Sequence, residues 1–164
     1  MIRTLAGLAT PYFGEARCEG SVGLLDERTG LDPEHSLRSA LDFWFAIDAA
    51  RDIDALLERL HLTRLVDVPV RYLSTGQKKR ASLARLIGQG AKAWLLDEPL
   101  SGLDTASQLL VSELITEHLD NQGIALIASH QPVDVRGLQT LAIEDFVVPV
   151  QEDGPYEDDM EPMA

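Results

Sequence analysis

Apolar and polar positions follow two different rhythms along this chain. In the first half, apolar residues recur at helical spacing in short bursts. Residues 1–8 have a helix-compatible composition that stops at Ala9-Thr10-Pro11, where the proline disfavours further helix. Leu37, Leu41, Trp44 and Phe45 mark a second helical stretch with Ser36 as its cap, and Ile53, Leu56, Leu57 and Leu60 mark a third. Together these two predict a small helical subdomain over about residues 34–68. Residues 14–34, polar and rich in Gly and Asp, read as a connection leading into it.

In the second half the rhythm changes. Residues 91–96, apolar apart from Lys92, and Ile124–Ala128 are apolar runs, each entered from a glycine, which is the pattern of strands buried on both faces. Between them Leu109, Leu110, Leu114, Ile115 and Leu119 recur at helical spacing, so the segment predicts strand, helix, strand: a βαβ unit in an α/β fold with helices flanking a parallel sheet. In such sheets ligands gather at the carboxyl ends of the strands, where Asp97, Glu98 and His130 fall.

Composition narrows the function classes. The chain has 164 residues, enough for one core and hardly two. Its net charge of −13 disfavours nucleic acid and anionic lipid as partners. No apolar run approaches the roughly 18–20 residues a membrane-crossing helix needs, so any membrane role is expected to run through a partner. Residues 151–164 hold six carboxylates and two prolines with no basic residue, a composition that predicts a disordered acidic tail. A single cysteine, Cys18, excludes an internal disulfide, fits a reducing compartment and reads as a small apolar filler.

Four short segments carry candidate chemistry. The strand ending in Asp97-Glu98-Pro99 places two carboxylates side by side: one can hold Mg²⁺ while the other addresses a water, or the pair can simply favour a following helix N-terminus. Upstream, Leu73-Ser74-Thr75-Gly76-Gln77 opens a helical pattern. A serine cap, a glycine and free amides suit a phosphate, and they equally suit an ordinary cap. Ser101-Gly102-Leu103-Asp104 turns into the next helix with Asp104 as cap. His130 ends the strand run IALIASH, where an imidazole can meet a phosphate and a water or be an ordinary polar residue.

In this order the four segments resemble the ATP-binding-cassette (ABC) ATPases over about residues 1–135. The resemblance implies a P-loop NTPase-like parallel sheet flanked by helices, with an ABC ATPase domain over residues 1–150. It makes residues 73–77 the signature motif, with Ser74, Thr75, Gly76 and Gln77 on the nucleotide, and places Asp104 of the D-loop there too. Asp97 ends the Walker B strand and holds Mg²⁺, Glu98 is the catalytic base and His130 the switch histidine. It also implies ATP as ligand, a second ATPase subunit arranged head to tail, transmembrane permease subunits, and a peripheral place on the cytoplasmic face of an inner membrane. Thr75, the short helical subdomain, the run YLSTGQKKRASLARL and the ending SHQPVDV are similar to the haem-exporter branch of cytochrome c maturation.

Two departures stand out. No Gly-x-x-x-x-Gly-Lys-Ser/Thr loop occurs, and of Lys78, Lys79 and Lys92 none follows a glycine. The aromatic residue expected beneath adenine is missing with it. Residues 1–14 resemble the stretch that follows this loop in the family, so the expectation is that Met1 is internal, that the reading frame continues upstream, and that the N-terminal strands and the Walker A loop are lacking here. Where the family carries a glutamine loop, before Gly30, the chain reads Leu25-Asp26-Glu27-Arg28-Thr29; Asp26 or Glu27 takes over the metal water, or the stretch is a solvated charged loop. The leading function is therefore a transport ATPase subunit. The alternative is a non-hydrolysing subunit that lends its signature motif to a partner's nucleotide. A DNA-repair ATPase is disfavoured for lack of coiled-coil heptads and basic surface.

Overall fold

The computed structural model describes residues 1–48 and 53–143. Its centre is a three-stranded, fully parallel sheet of β1 (Val22–Leu25), β2 (Ala93–Asp97) and β3 (Ile124–Ala128), in the spatial order β1-β2-β3. Parallel neighbours require crossovers. The β2-to-β3 crossover is α5 (Thr105–Asp120); the β1-to-β2 crossover is the longer insert α2 (Leu37–Asp48), α3 (Ile53–Arg59) and α4 (Thr75–Gln89). A short α1 (Ile2–Leu5) packs against β2. The α/β architecture expected from the apolar runs is the one found.

Strand β1 corrects the reading of residues 14–34 as a connection. Its register sets Gly23 beside Trp94 and Leu25 beside Leu96, so these residues share a face. Gly23 lets α4 come close: a Cβ there would lie 2.4 Å from Leu86 Cδ1. Leu25, Leu83, Leu86, Leu96 and Ile115 are fully buried around this contact, each contributing roughly 1.5–3 kcal/mol relative to exposure. Four residues between Ser21 and Asp26, one of them a glycine, have no period of their own, and only the neighbouring strand and helix identify them. The first helix is also shorter than residues 1–8, because the chain turns at Gly7 with φ of +73°. Cys18 is not a filler: it is exposed, within a loop whose residues 12–21 are all exposed.

The helical insert is held by contacts among its own helices and by an ion pair to α5. α2 packs on α4. Arg38 on α2 reaches Asp54 on α3 at 2.6 Å, and Arg59 on α3 forms a forked ion pair with Glu117 on α5. On the sheet side, Trp94 stacks on His118 of α5 with ring centroids 3.9 Å apart and planes 7° from parallel. Burial pushes the His118 imidazole below its ordinary proton affinity. β3 is an edge of the sheet, and Ile124 at its start is 68% exposed. The acidic tail, residues 151–164, lies outside the described residues.

Candidate functional site

The site is built from two helix starts and the carboxyl edge of the sheet. Helix α4 begins in a capping box: the Gln77 amide donates to Ser74 Oγ at 3.3 Å, and the Ser74 amide donates to Gln77 Oε1 at 2.8 Å. This occupies two of the donors at the helix start and leaves those of Thr75 and Gly76 for another acceptor. Residues 101–104 lie against the same turn: a Cβ on Gly76 would sit 3.3 Å from the Gly102 carbonyl oxygen, and one on Gly102 3.2 Å from Thr75 Cγ2. Asp104 caps α5 by accepting the Ser107 amide at 2.7 Å, and this backbone hydrogen bond holds its carboxyl below the usual carboxylate range.

At the sheet edge, Asp97 is the last residue of β2 and pairs in register with Ala128. Glu98, the next residue, has φ of +48°, a left-handed conformation that costs a residue with a Cβ roughly 1–2 kcal/mol. Four contacts hold it there. Its amide donates to the Ala128 oxygen at 2.8 Å, and its own oxygen accepts the Lys79 ammonium at 2.9 Å and the Ser101 amide at 3.2 Å. Its carboxylate accepts the His130 amide at 2.9 Å, with the His130 ring nitrogen 3.6 Å from the same oxygen. The fold thus brings Glu98 and His130 together although 32 residues separate them. The imidazole itself is 98% exposed.

The described residues contain no group of three or more His, Cys, Asp and Glu that would cage a metal by themselves. Mg²⁺ does not need one, since it binds through one or two carboxylates with water and phosphate oxygens completing its shell. Asp97, partly exposed at the strand end with no side-chain hydrogen bond among the described residues, fits that mode. Asp26 fits it poorly. It is 9% exposed, takes the Arg28 amide at 2.9 Å on one oxygen and the Arg3 guanidinium on the other. Glu27 beside it is exposed.

Reading the sequence missed Lys79 and Arg3. Lys79 is half-buried, which pushes its amine below the ordinary lysine value, while Asp97, Glu98, Asp26 and Glu27 pull it back up. The available signal was Lys78-Lys79-Arg80, three cations soon after a helix start where the dipole disfavours them. Cavities lie elsewhere. One of about 310 Å³ adjoins Trp94 and His118, and another of about 350 Å³ opens between Gly30, Asp32 and His35 and the α2 residues Phe43 and Trp44.

A parallel sheet whose carboxyl edge gathers an acidic pair and a histidine, beside a capped Ser-x-Gly-Gln helix, has the α/β architecture of the P-loop NTPase-like class. The ABC transporter family model matches residues 2–101, and the chain belongs to that family. Within it, the chain is 48% identical over 146 residues to the cytochrome c biogenesis ATP-binding export protein CcmA of Novosphingobium aromaticivorans, covering 89% of this chain and 75% of that protein. It is 42% identical over 148 residues to CcmA of Zymomonas mobilis, covering 90% and 67%. Among solved structures, an RNase-L inhibitor matches with a TM-score of 0.67 at 28% identity over 79% of this chain. A metal-chelate type ABC transporter in an inward-facing conformation matches at 0.63 and 25% over 80%. The chain spans 26% of the first of these structures and 57% of the second.

Proposed function

We propose that this chain works as the ATP-binding subunit of a transporter serving cytochrome c biogenesis, with haem export as the transport step. The observation that carries the reading is Glu98: its carboxylate is aimed by a left-handed backbone and by the His130 amide, directly after Asp97 at the sheet edge. Glu98 is the base that orients the attacking water and takes its proton, and His130 hydrogen-bonds the γ-phosphate. Asp97 would hold Mg²⁺, which supplies charge neutralisation on the phosphate oxygens. The phosphates also need an amide-lined loop with a lysine, which is not among these 164 residues.

Ser74, Thr75, Gly76 and Gln77, with Asp104 beside them, face the nucleotide of a second ATPase subunit in a head-to-tail dimer. Support comes from the free Thr75 and Gly76 amides and from the Ser74 hydroxyl, which accepts a bond in the cap and keeps its own proton to donate. We read residues 1–150 as the ATPase domain, with residues 34–68 as an arm toward the permease subunits. Exposed Phe43 and Ile47 on α2 give that arm an apolar surface. Among the described residues no helix is long and apolar enough to cross a membrane, which accords with attachment through those partners at the cytoplasmic face of the inner membrane.

Complementation tests the reading. In cells lacking their own copy, the reading frame containing this chain should restore covalently haem-loaded c-type cytochromes, and Asp97→Asn should not. Restoration by the Asp97→Asn and Glu98→Gln variants alike would assign the chain to the non-hydrolysing alternative.

A further inference from the structure

The catalytic reading of Glu98 leaves the half-buried charge of Lys79 without a task. Lys79 lies on α4 one turn beyond Thr75, on the same helix whose start is the Ser74–Gln77 capping box. Its ammonium crosses 19 residues of sequence to donate to the Glu98 backbone oxygen at 2.9 Å. No salt bridge to Lys79 occurs among the described residues; a backbone carbonyl is its partner, although desolvating an ammonium is costly unless something compensates it. The other contacts on Glu98 come from the sheet or from the adjoining turn: Ala128 takes its amide, Ser101 shares its oxygen and His130 holds its carboxylate. Lys79 alone reaches it from α4.

We propose that Lys79 is a positioning residue for hydrolysis, in which its hydrogen bond to the Glu98 carbonyl holds the left-handed backbone that aims the Glu98 carboxylate. The inference rests on the reading of Glu98 as the base. The geometry has a consequence for coupling. With the Lys79 bond lost, the Ser101 amide alone remains on that carbonyl, so the left-handed backbone is held less firmly and the aim of the carboxylate loosens. Because the tie springs from the helix that begins with Ser74 and Gly76, displacement of that helix by a nucleotide bound on the partner subunit changes the aim of Glu98 in this one. The ammonium thus links the phosphate-facing end of α4 to the hydrolytic residue of the same chain.

The test is steady-state Mg-ATP turnover by the assembled transporter, with four variants. Lys79→Met keeps the aliphatic stem and removes the donor; it should lower kcat about tenfold or more while KM for ATP stays within roughly twofold. Lys79→Arg, which can still donate to the carbonyl, should recover most of kcat. In a Glu98→Gln background, Lys79→Met should add less than about a twofold further loss, because a residue that acts through Glu98 has nothing left to position. Should the methionine variant fail to accumulate, Lys79→Leu, which likewise has no donor, replaces it with the same expectations. An unchanged kcat in the Lys79 variants, a change confined to KM, or a full multiplicative loss in the Glu98→Gln background overturns the proposal. Turnover that survives Glu98→Gln alone overturns instead the reading on which it rests.

Discussion

Replacing Glu98 by glutamine separates chemistry from architecture. The glutamine carbonyl oxygen can still accept the His130 amide, and the ties from Ala128, Lys79 and Ser101 are made to the Glu98 backbone and do not involve its side chain. What changes is one charge-assisted hydrogen bond becoming a neutral one, a loss of about 1 kcal/mol. The left-handed backbone carries the same cost before and after. Hydrolysis should respond on a different scale: without a group to take the proton of the attacking water, turnover should fall about 10²–10⁴-fold, equivalent to roughly 3–5 kcal/mol in the barrier. Mg-ATP turnover by the assembled transporter, measured as phosphate release, should therefore collapse while ATP-driven dimerisation, followed by size-exclusion chromatography, persists. Glu98→Ala should lose as much turnover. Either a loss of less than tenfold in the glutamine variant or a dimer that disappears along with the activity would refute the reasoning.

Two further outcomes follow from close approaches in the fold. Gly76→Asp should weaken dimer closure roughly 100-fold, since a carboxylate ~5 Å from a phosphate at an effective dielectric of about 20 is repelled by ~3 kcal/mol; equal ATP-driven dimerisation of variant and parent would remove the signature role. Gly123→Ala should lower the melting temperature by about 4–8 °C, through roughly 2 kcal/mol of overpacking, because the new Cβ would lie 2.3 Å from His118 Nε2 and push that ring off Trp94. Tryptophan fluorescence during thermal unfolding reads both the stack and the shift, and an unchanged melting point would count against the packing described.

Local chemistry decided much of this protein, and residue order alone reveals that part. Ser74 with Gln77 three residues on starts α4, Asp104 starts α5, and the apolar runs form β2 and β3, because caps and continuous apolar strands depend on neighbours a few residues away. The placement of Asp97, Glu98 and His130 at one sheet edge follows from the same βαβ order. Tertiary structure decided the rest. Val22–Leu25 becomes a strand only because β2 offers a ladder and Gly23 admits Leu86, conditions set some 60 or more residues away. Asp26 is withdrawn from solvent by Arg3, 23 residues distant, and Glu98 takes its left-handed backbone under ties from Lys79, Ala128 and His130. No local propensity encodes such contacts: a backbone conformation that is unfavourable in isolation, and an ammonium drawn partly out of water, are stable only when several distant groups close on them together.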